Sequence, residues 1–253
     1  MGSRKYHTLS KPSVALLVGN GVTSYEAGTN WHLLDVRYQI PVTKLDVTDM
    51  GRHDLARYNV IIMPNGRYSF SASETDKLRQ WVSKGGVLIA QKSANRWCAA
   101  NGLAQLTERK PAADSHHNRP YGSLEADSGG RVLGGAIFEA SADLTHPLLY
   151  GCSRTDMAVF MKDNLFYEPA QNAYATPLRF TASPYLSGYV HSSSLAAIKE
   201  SAAIVVSGKG SGTVVSMAFE PAFRAFWFGT SKLLGNAVFF GHTIESGGKE
   251  MVK

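Results

Sequence analysis

Residues Val14-Ala-Leu-Leu-Val18 form an unbroken apolar run closed by Pro12 and Gly19. Five residues are short for a buried helix, and apolar side chains on both faces suit a strand in a parallel sheet covered by helices on both sides. The pattern then repeats. Ser24 to Tyr38 reads as a helix, with Trp31, Leu34 and Tyr38 at spacings of three and four and Pro41 beyond its end. Val42 to Val47 suits a second strand and Asn59 to Met63 a third, closed by Pro64-Asn65-Gly66. Ser71 with Glu74 forms a capping-box signature ahead of Leu78, Trp81 and Val82, and Gly85-Gly86 stops that helix. A fourth strand, Val87 to Ala90, leads through Gln91-Lys92-Ser93 into a helical segment from Ala94 to Ala100. Strands alternating with helices predict right-handed βαβ units in a doubly wound parallel sheet.

From Ala104 to Arg131 the alternation lapses into prolines, glycines and polar residues, too long for a simple connection and expected to be an excursion around a site or interface. Residues 132–200 hold short strand-like pieces, among them Ala136 to Glu139 and Met157 to Met161, and predict a β-rich elaboration. Ala202 to Val206 and Thr213 to Phe219, around Gly208-Lys-Gly-Ser-Gly212, suit a β-hairpin. An apolar helix is predicted from Ala222 to Phe240. With no repeat and no obvious linker, the chain divides into a polar leader or linker over 1–12, one α/β domain over 13–241 and a C-terminal tail over 242–253.

The composition, 44% apolar and 18% charged, excludes general disorder. The net charge of +6 lies in residues 1–126, and half of it comes from Arg4, Lys5 and Lys11, so it is a weak argument for an anionic or nucleic-acid partner. Two cysteines, Cys98 and Cys152, make no disulfide framework. No run suits a membrane span, since Arg224 and Lys232 break the best one. The first residues lack the apolar segment of a secretory signal, so localisation is not written in them.

Among eight histidines there is no His-Glu-x-x-His, and the one cluster, His116-His117, suits a solvated loop; no metal or cofactor site is expected. Gly208 to Gly212 lacks the phosphate-loop spacing, and Gly19-Asn20-Gly21 meets Ser24 where a dinucleotide fingerprint needs glycine. The turn after the fourth strand is where a nucleophile elbow would stand. Ser93 is its candidate nucleophile, with His116 or His117 as base and Glu26 as an acidic partner, but Ser93 also suits the N-cap of the following helix. Cys98, beside Trp97, suits packing. The residues Phe219 to Thr230 suit core more than a binding surface, with Arg224 in need of a partner.

Three segments carry a resemblance: Ser13 to Gly28 with Trp31-His-Leu-Leu-Asp35, Gly85-Gly-Val-Leu-Ile-Ala90, and Pro221-Ala-Phe-Arg-Ala-Phe-Trp-Phe-Gly-Thr230 with Asn236-Ala237. In this order they resemble the class I glutamine amidotransferase-like domain carried C-terminal to the catalytic domain of bacterial zinc carboxypeptidases. The resemblance implies a flavodoxin-like sheet and a nucleophilic cysteine at the elbow, where this chain has Gln91-Lys92-Ser93. It therefore implies a non-catalytic accessory domain that supports or positions the peptidase domain or its peptide substrate, in a periplasmic or secreted protein. A hydrolase using Ser93 and an anion or nucleic-acid binding module are the alternatives.

Overall fold

The computed structural model describes residues 7–113 and 118–252. Its first hundred residues follow the predicted alternation: β1 (Val14–Val18), α1 (Ser24–Trp31), β2 (Val42–Asp46), β3 (Val60–Met63), α2 (Ala72–Ser83), β4 (Val87–Gln91) and α3 (Ser93–Ala100). Then come β5 (Glu108–Arg109), α4 (Leu124–Gly130), β6 (Ala136–Ala142), β7 (Asp156–Met161), β8 (Phe166–Tyr167), β9 (Leu178–Gly188), α5 (Ser192–Ile198), β10 (Ala202–Lys209), β11 (Gly212–Met217), α6 (Phe228–Phe240) and β12 (Glu250–Met251).

The fold is mixed α/β around one sheet in the order β2-β1-β3-β4-β11-β10-β9-β6-β7. The first five strands are parallel neighbours, and from β11 onward the pairing turns antiparallel. Successive side chains of a strand face opposite sides. Leu16, Ile62 and Ile89 therefore join one core with Leu33, Leu34, Leu233 and Leu234. Leu17, Ile61 and Leu88 join the other with Leu78, Trp81, Val82 and Cys98. Helices thus cover both faces of the parallel strands, which leaves the strands' C-terminal ends as the open edge.

The capping box of α2 forms as its sequence predicts, with the Ser71 hydroxyl accepting from the Glu74 amide and the Glu74 carboxylate accepting from the Ser71 amide. The β10–β11 hairpin turns at Gly210-Ser211 and runs through the middle of the sheet. A Cβ on Gly212 would lie 1.9 Å from the Val82 carbonyl, so the glycine-rich turn reflects a close backbone approach to the end of α2.

Several expectations are corrected. The helix over 24–38 is α-helical only to Trp31; His32–Arg37 continues as a π-helix, with the Tyr38 amide donating to the Leu33 carbonyl. The closing helix starts at Phe228, not Ala222. Ahead of it, Arg224 and Ala225 take left-handed φ of 49° and 58° while Phe223 stacks on Phe160 at 4.0 Å, so tertiary packing overrides helical periodicity. The eleven-residue β9 was hidden by Pro184, which sits where the register with β6 breaks. In the segment read as a tail, Glu250 and Met251 pair with Ser207 and Gly208 of β10. In the leader, the Lys11 carbonyl accepts from Asn59. No helix among the described residues is long and apolar enough to cross a membrane.

Candidate functional site

The open edge of the parallel strands is where α/β folds bind ligands, at the point where successive connections leave for opposite faces. Three connections converge there. The turn after β1 delivers α1, which carries Glu26, Thr29 and Asn30. The loop after β3 supplies Asn65, and its backbone is locked to the first turn, with the Thr23 amide donating to the Asn65 carbonyl and the Arg67 amide to the Gly21 carbonyl. Position 21 has a φ of +86°, and a Cβ there would lie 2.4 Å from the Arg67 carbonyl. The Gly19-Asn20-Gly21 turn is thus a backbone docking point.

The third connection is the turn after β4. The Lys92 amide still extends the ladder, donating to the Met217 carbonyl at the end of β11, yet Ser93 is already helical. One residue has to absorb the change of direction, and Lys92 does so at φ 53° and ψ −118°, a conformation sparsely populated by L-residues. This is a strained strand-to-helix elbow with a lysine at its apex.

The apex side chain is buried, only 5% exposed, and its ammonium lies 2.5 Å from Glu26 Oε1 and 2.6 Å from Asp163 Oδ2. Burial alone would favour the neutral amine, but Glu26 and Asp163 outweigh it and hold the lysine above its ordinary value. Glu26 is itself buried, and Asn65 Nδ2 donates to its Oε1 at 3.2 Å. Beneath lies a reciprocal amide pair: Asn30 Nδ2 donates to Gln91 Oε1 at 2.9 Å and Gln91 Nε2 to Asn30 Oδ1 at 2.8 Å. A third carboxyl, Glu220, is buried beside them and accepts from the Thr29 hydroxyl at 2.8 Å. Burial and then the Glu26 charge raise its pKa against the pull of Thr29, Lys92 and Lys162.

The sequence-predicted residues are placed differently from expectation. Ser93 does not cap α3; Lys92 occupies the N-cap position and Ser93 is the first helical residue. Its hydroxyl turns to the loop after β3, donating to the Gly66 carbonyl at 2.8 Å and accepting from the Gly66 amide at 3.0 Å, with Asn65 Oδ1 against it. Glu26 comes near Ser93 only through Asn65, and its charge is spent on Lys92. His116 and His117 lie outside the described residues. Cys98 packs 4.0 Å from Met63 Sδ, and burial pushes its thiol up to about 12. The chain does contain one His-x-x-Glu spacing, His242 to Glu245, but His242 Nε2 lies 3.3 Å from the Thr8 carbonyl. Among the described residues no three His, Cys, Asp or Glu side chains are grouped to hold a metal ion.

Sequence reasoning missed Lys92, Asp163 and Glu220. The available signal was position: Lys92 is the second residue after Ala90, in the very turn where a nucleophile elbow would stand.

No protein-family profile matches the chain, and no curated protein matches it. Solved structures do. A ThuA-like protein from Parabacteroides merdae ATCC 43184 superposes with a TM-score of 0.61 at 13% identity, over 92% of this chain and 91% of that one. One from Bacteroides uniformis ATCC 8492 superposes with a TM-score of 0.55 at 14% identity, over 93% and 94%. The chain shares with these two proteins a mixed α/β fold around a central sheet. At these identities the likeness concerns architecture alone.

Proposed function

We propose that this chain is a non-catalytic amidotransferase-like domain, built on a flavodoxin-like sheet with a β-rich elaboration, that serves as an accessory to a zinc carboxypeptidase. The observation that carries the first part is Lys92: the strained apex where this fold would present a nucleophile holds an ammonium clamped between Glu26 and Asp163. A protonated amine has no lone pair with which to attack. Ser93, next in the chain, is tied to the Gly66 backbone. The accessory part is supported by where the resembling segments fall. Ser13 to Gly28 contributes Glu26, and Pro221 to Thr230 follows Glu220 directly and exposes Phe226 and Phe228, which suit a protein contact.

The test has two arms. The purified chain should release no ammonia from glutamine, hydrolyse no activated ester and leave electrophilic serine and cysteine probes unreacted at Ser93. It should bind the catalytic domain of a zinc carboxypeptidase of the resembling type, measured by calorimetry, and lose that binding in Phe226→Ala/Phe228→Ala. Turnover or labelling abolished by Ser93→Ala would replace this reading with a hydrolase.

A further inference from the structure

We propose that the cavity between the C-terminal half of β1 and the N-terminal half of α1 is a binding site for a free aromatic carboxylate, with the Lys44 ammonium taking the carboxylate and the ring entering beside Trp31. The inference is independent of what the elbow at Lys92 does, so it holds whether or not the chain is an accessory domain.

Three observations converge. The cavity measures about 340 Å³ and is walled by Leu16, Val18, Val22, Ala27 and Trp31, with the exposed Lys44 of β2 also in its lining. An apolar pocket of about 150 Å³ already admits a benzene ring, so this one has room for a ring and a short acidic arm. Second, Lys44 has no anionic partner. Its ammonium lies 5.3 Å from the centre of the Trp31 ring, and among the described residues no Asp or Glu stands within ion-pair distance of it. Asp46, two residues on in the same strand, turns to Thr48, its Oδ1 accepting from the Thr48 amide and hydroxyl. Third, nothing in the packing requires position 28 to be glycine. Gly28 sits inside α1 without a positive φ, where glycine is worse for the helix than alanine, and a Cβ there would meet nothing within 4 Å. What the missing side chain does is keep the cavity open, since Gly28 lines it, and lines the neighbouring cavity that reaches His32 and Arg224 as well.

The lining selects the ligand. Apolar walls around a single ammonium suit a monoanion with an apolar body. A dianion would meet one cation and hydrocarbon, and a cationic ligand would be repelled by Lys44. Among apolar bodies Trp31 favours a ring, which packs against the indole edge-to-face or offset. A carboxylate that approaches Lys44 from the side away from Trp31 adds an ion pair and leaves the cation–π contact in place. The Ser24 hydroxyl, also in the lining, is a further donor. The position, at the C-terminal end of β1, is on the edge where α/β sheets take ligands.

The test is calorimetric titration of the intact chain with phenylacetate, paired with the NMR shift of the Trp31 indole N–H. Phenethyl alcohol keeps the ring and arm without the charge, acetate keeps the charge without the ring, and both serve as controls. Saturable phenylacetate binding that moves the Trp31 signal is expected, with each control at least about tenfold weaker. Lys44→Met should weaken phenylacetate by at least about tenfold and leave phenethyl alcohol unchanged. Gly28→Leu, which fills the cavity from the helix side, should abolish phenylacetate binding yet melt no lower than the wild type, because leucine suits a helix interior better than glycine. If Gly28→Leu does not fold, Lys44→Met decides alone. No saturable binding up to the solubility limit of phenylacetate, binding that Lys44→Met leaves unchanged, or binding that survives in folded Gly28→Leu overturns the site.

Discussion

Replacing Lys92 with methionine tests how much the buried ion pair at the elbow stabilises the fold. Methionine keeps the unbranched stem of the side chain up to the position of Cε and leaves the backbone strain at φ 53° unchanged, so the variant chiefly removes the ammonium. The partners' side chains are 5% and 8% exposed, which puts the pair in the buried regime. Removing one member of a buried pair costs about 3–5 kcal/mol, because the other is left uncompensated, against about 0–1 kcal/mol for a solvent-exposed pair. Guanidinium unfolding followed by tryptophan fluorescence at pH 7 should therefore show a loss in the upper range. The double variant Lys92→Met/Glu26→Leu removes both charges and should recover most of it, since apolar replacement of a buried pair is close to neutral. The lysine's folded pKa is raised, so its contribution is fully present below the unfolded value near 10.5 and fades as pH rises through the folded value. The gap between wild type and the single variant should accordingly stay open from neutral pH up to that region and narrow above it. A single variant within about 1 kcal/mol of wild type at pH 7 would refute the reasoning, as would a double variant no more stable than the single one.

Four further outcomes are expected. Ser71→Ala removes the hydroxyl arm of the capping box and should cost about 1 kcal/mol, read as a melting temperature lower by roughly 2–4 °C. Gly212→Ala would set a methyl group against the Val82 and Gly86 carbonyls in mid-sheet, so a loss of at least about 3 kcal/mol, or no soluble protein, is expected in expression and melting assays. A thiol reagent at pH 8 should modify Cys152 in the native chain and leave the buried Cys98 untouched until guanidinium is added, which liquid chromatography and mass spectrometry can count. The folded pKa of Glu220 is raised, so ionising it lowers stability as pH rises above the unfolded value of 4.5; Glu220→Gln should be more stable than wild type at pH 7, with the advantage vanishing at pH 4.

The parallel half of the sheet was legible because its signals are local. Val14 to Val18, Asn59 to Met63 and Val87 to Ala90 are apolar on both faces, and the Ser71–Glu74 box and Gly85-Gly86 punctuate the helix between two of them. The antiparallel half was poorly legible because its strands are defined by partners distant in sequence. The eleven residues of β9 alternate with a proline among them, and a register break against β6 absorbs it. The start of α6 was misplaced for a similar reason: Phe219 to Thr230 has helical spacing, but the contact of Phe223 with Phe160 of β7 pulls the chain into two left-handed residues instead. The candidate site lies between these cases. Its address, the turn after β4, was legible from the order of elements; of its contents only Glu26 was named, since Glu26, Lys92, Asp163 and Glu220 come from four separated stretches.

The same separation hides the local charge balance from a count along the chain. Lys92 contributes to the basic excess of residues 1–126, yet its charge is set against three carboxyl groups, two of them from residues 127–253, so its surroundings are locally acidic while its half of the chain is formally basic. Backbone geometry accounts for why the lysine, and not Ser93, occupies these surroundings. Only the apex residue of the elbow departs from both strand and helix, and the next side chain is already committed to the direction set by α3, toward Gly66. A left-handed apex costs an L-residue on the order of 1–3 kcal/mol and persists only where surrounding bonds over-determine it. The hydrogen bond from the Lys92 amide to the Met217 carbonyl and the two carboxylates supply that constraint. The fold thus keeps the strained geometry of a nucleophile elbow but uses it to seat a buried cation between two carboxylates, which turns a position suited to covalent attack into an internal ion-pair anchor.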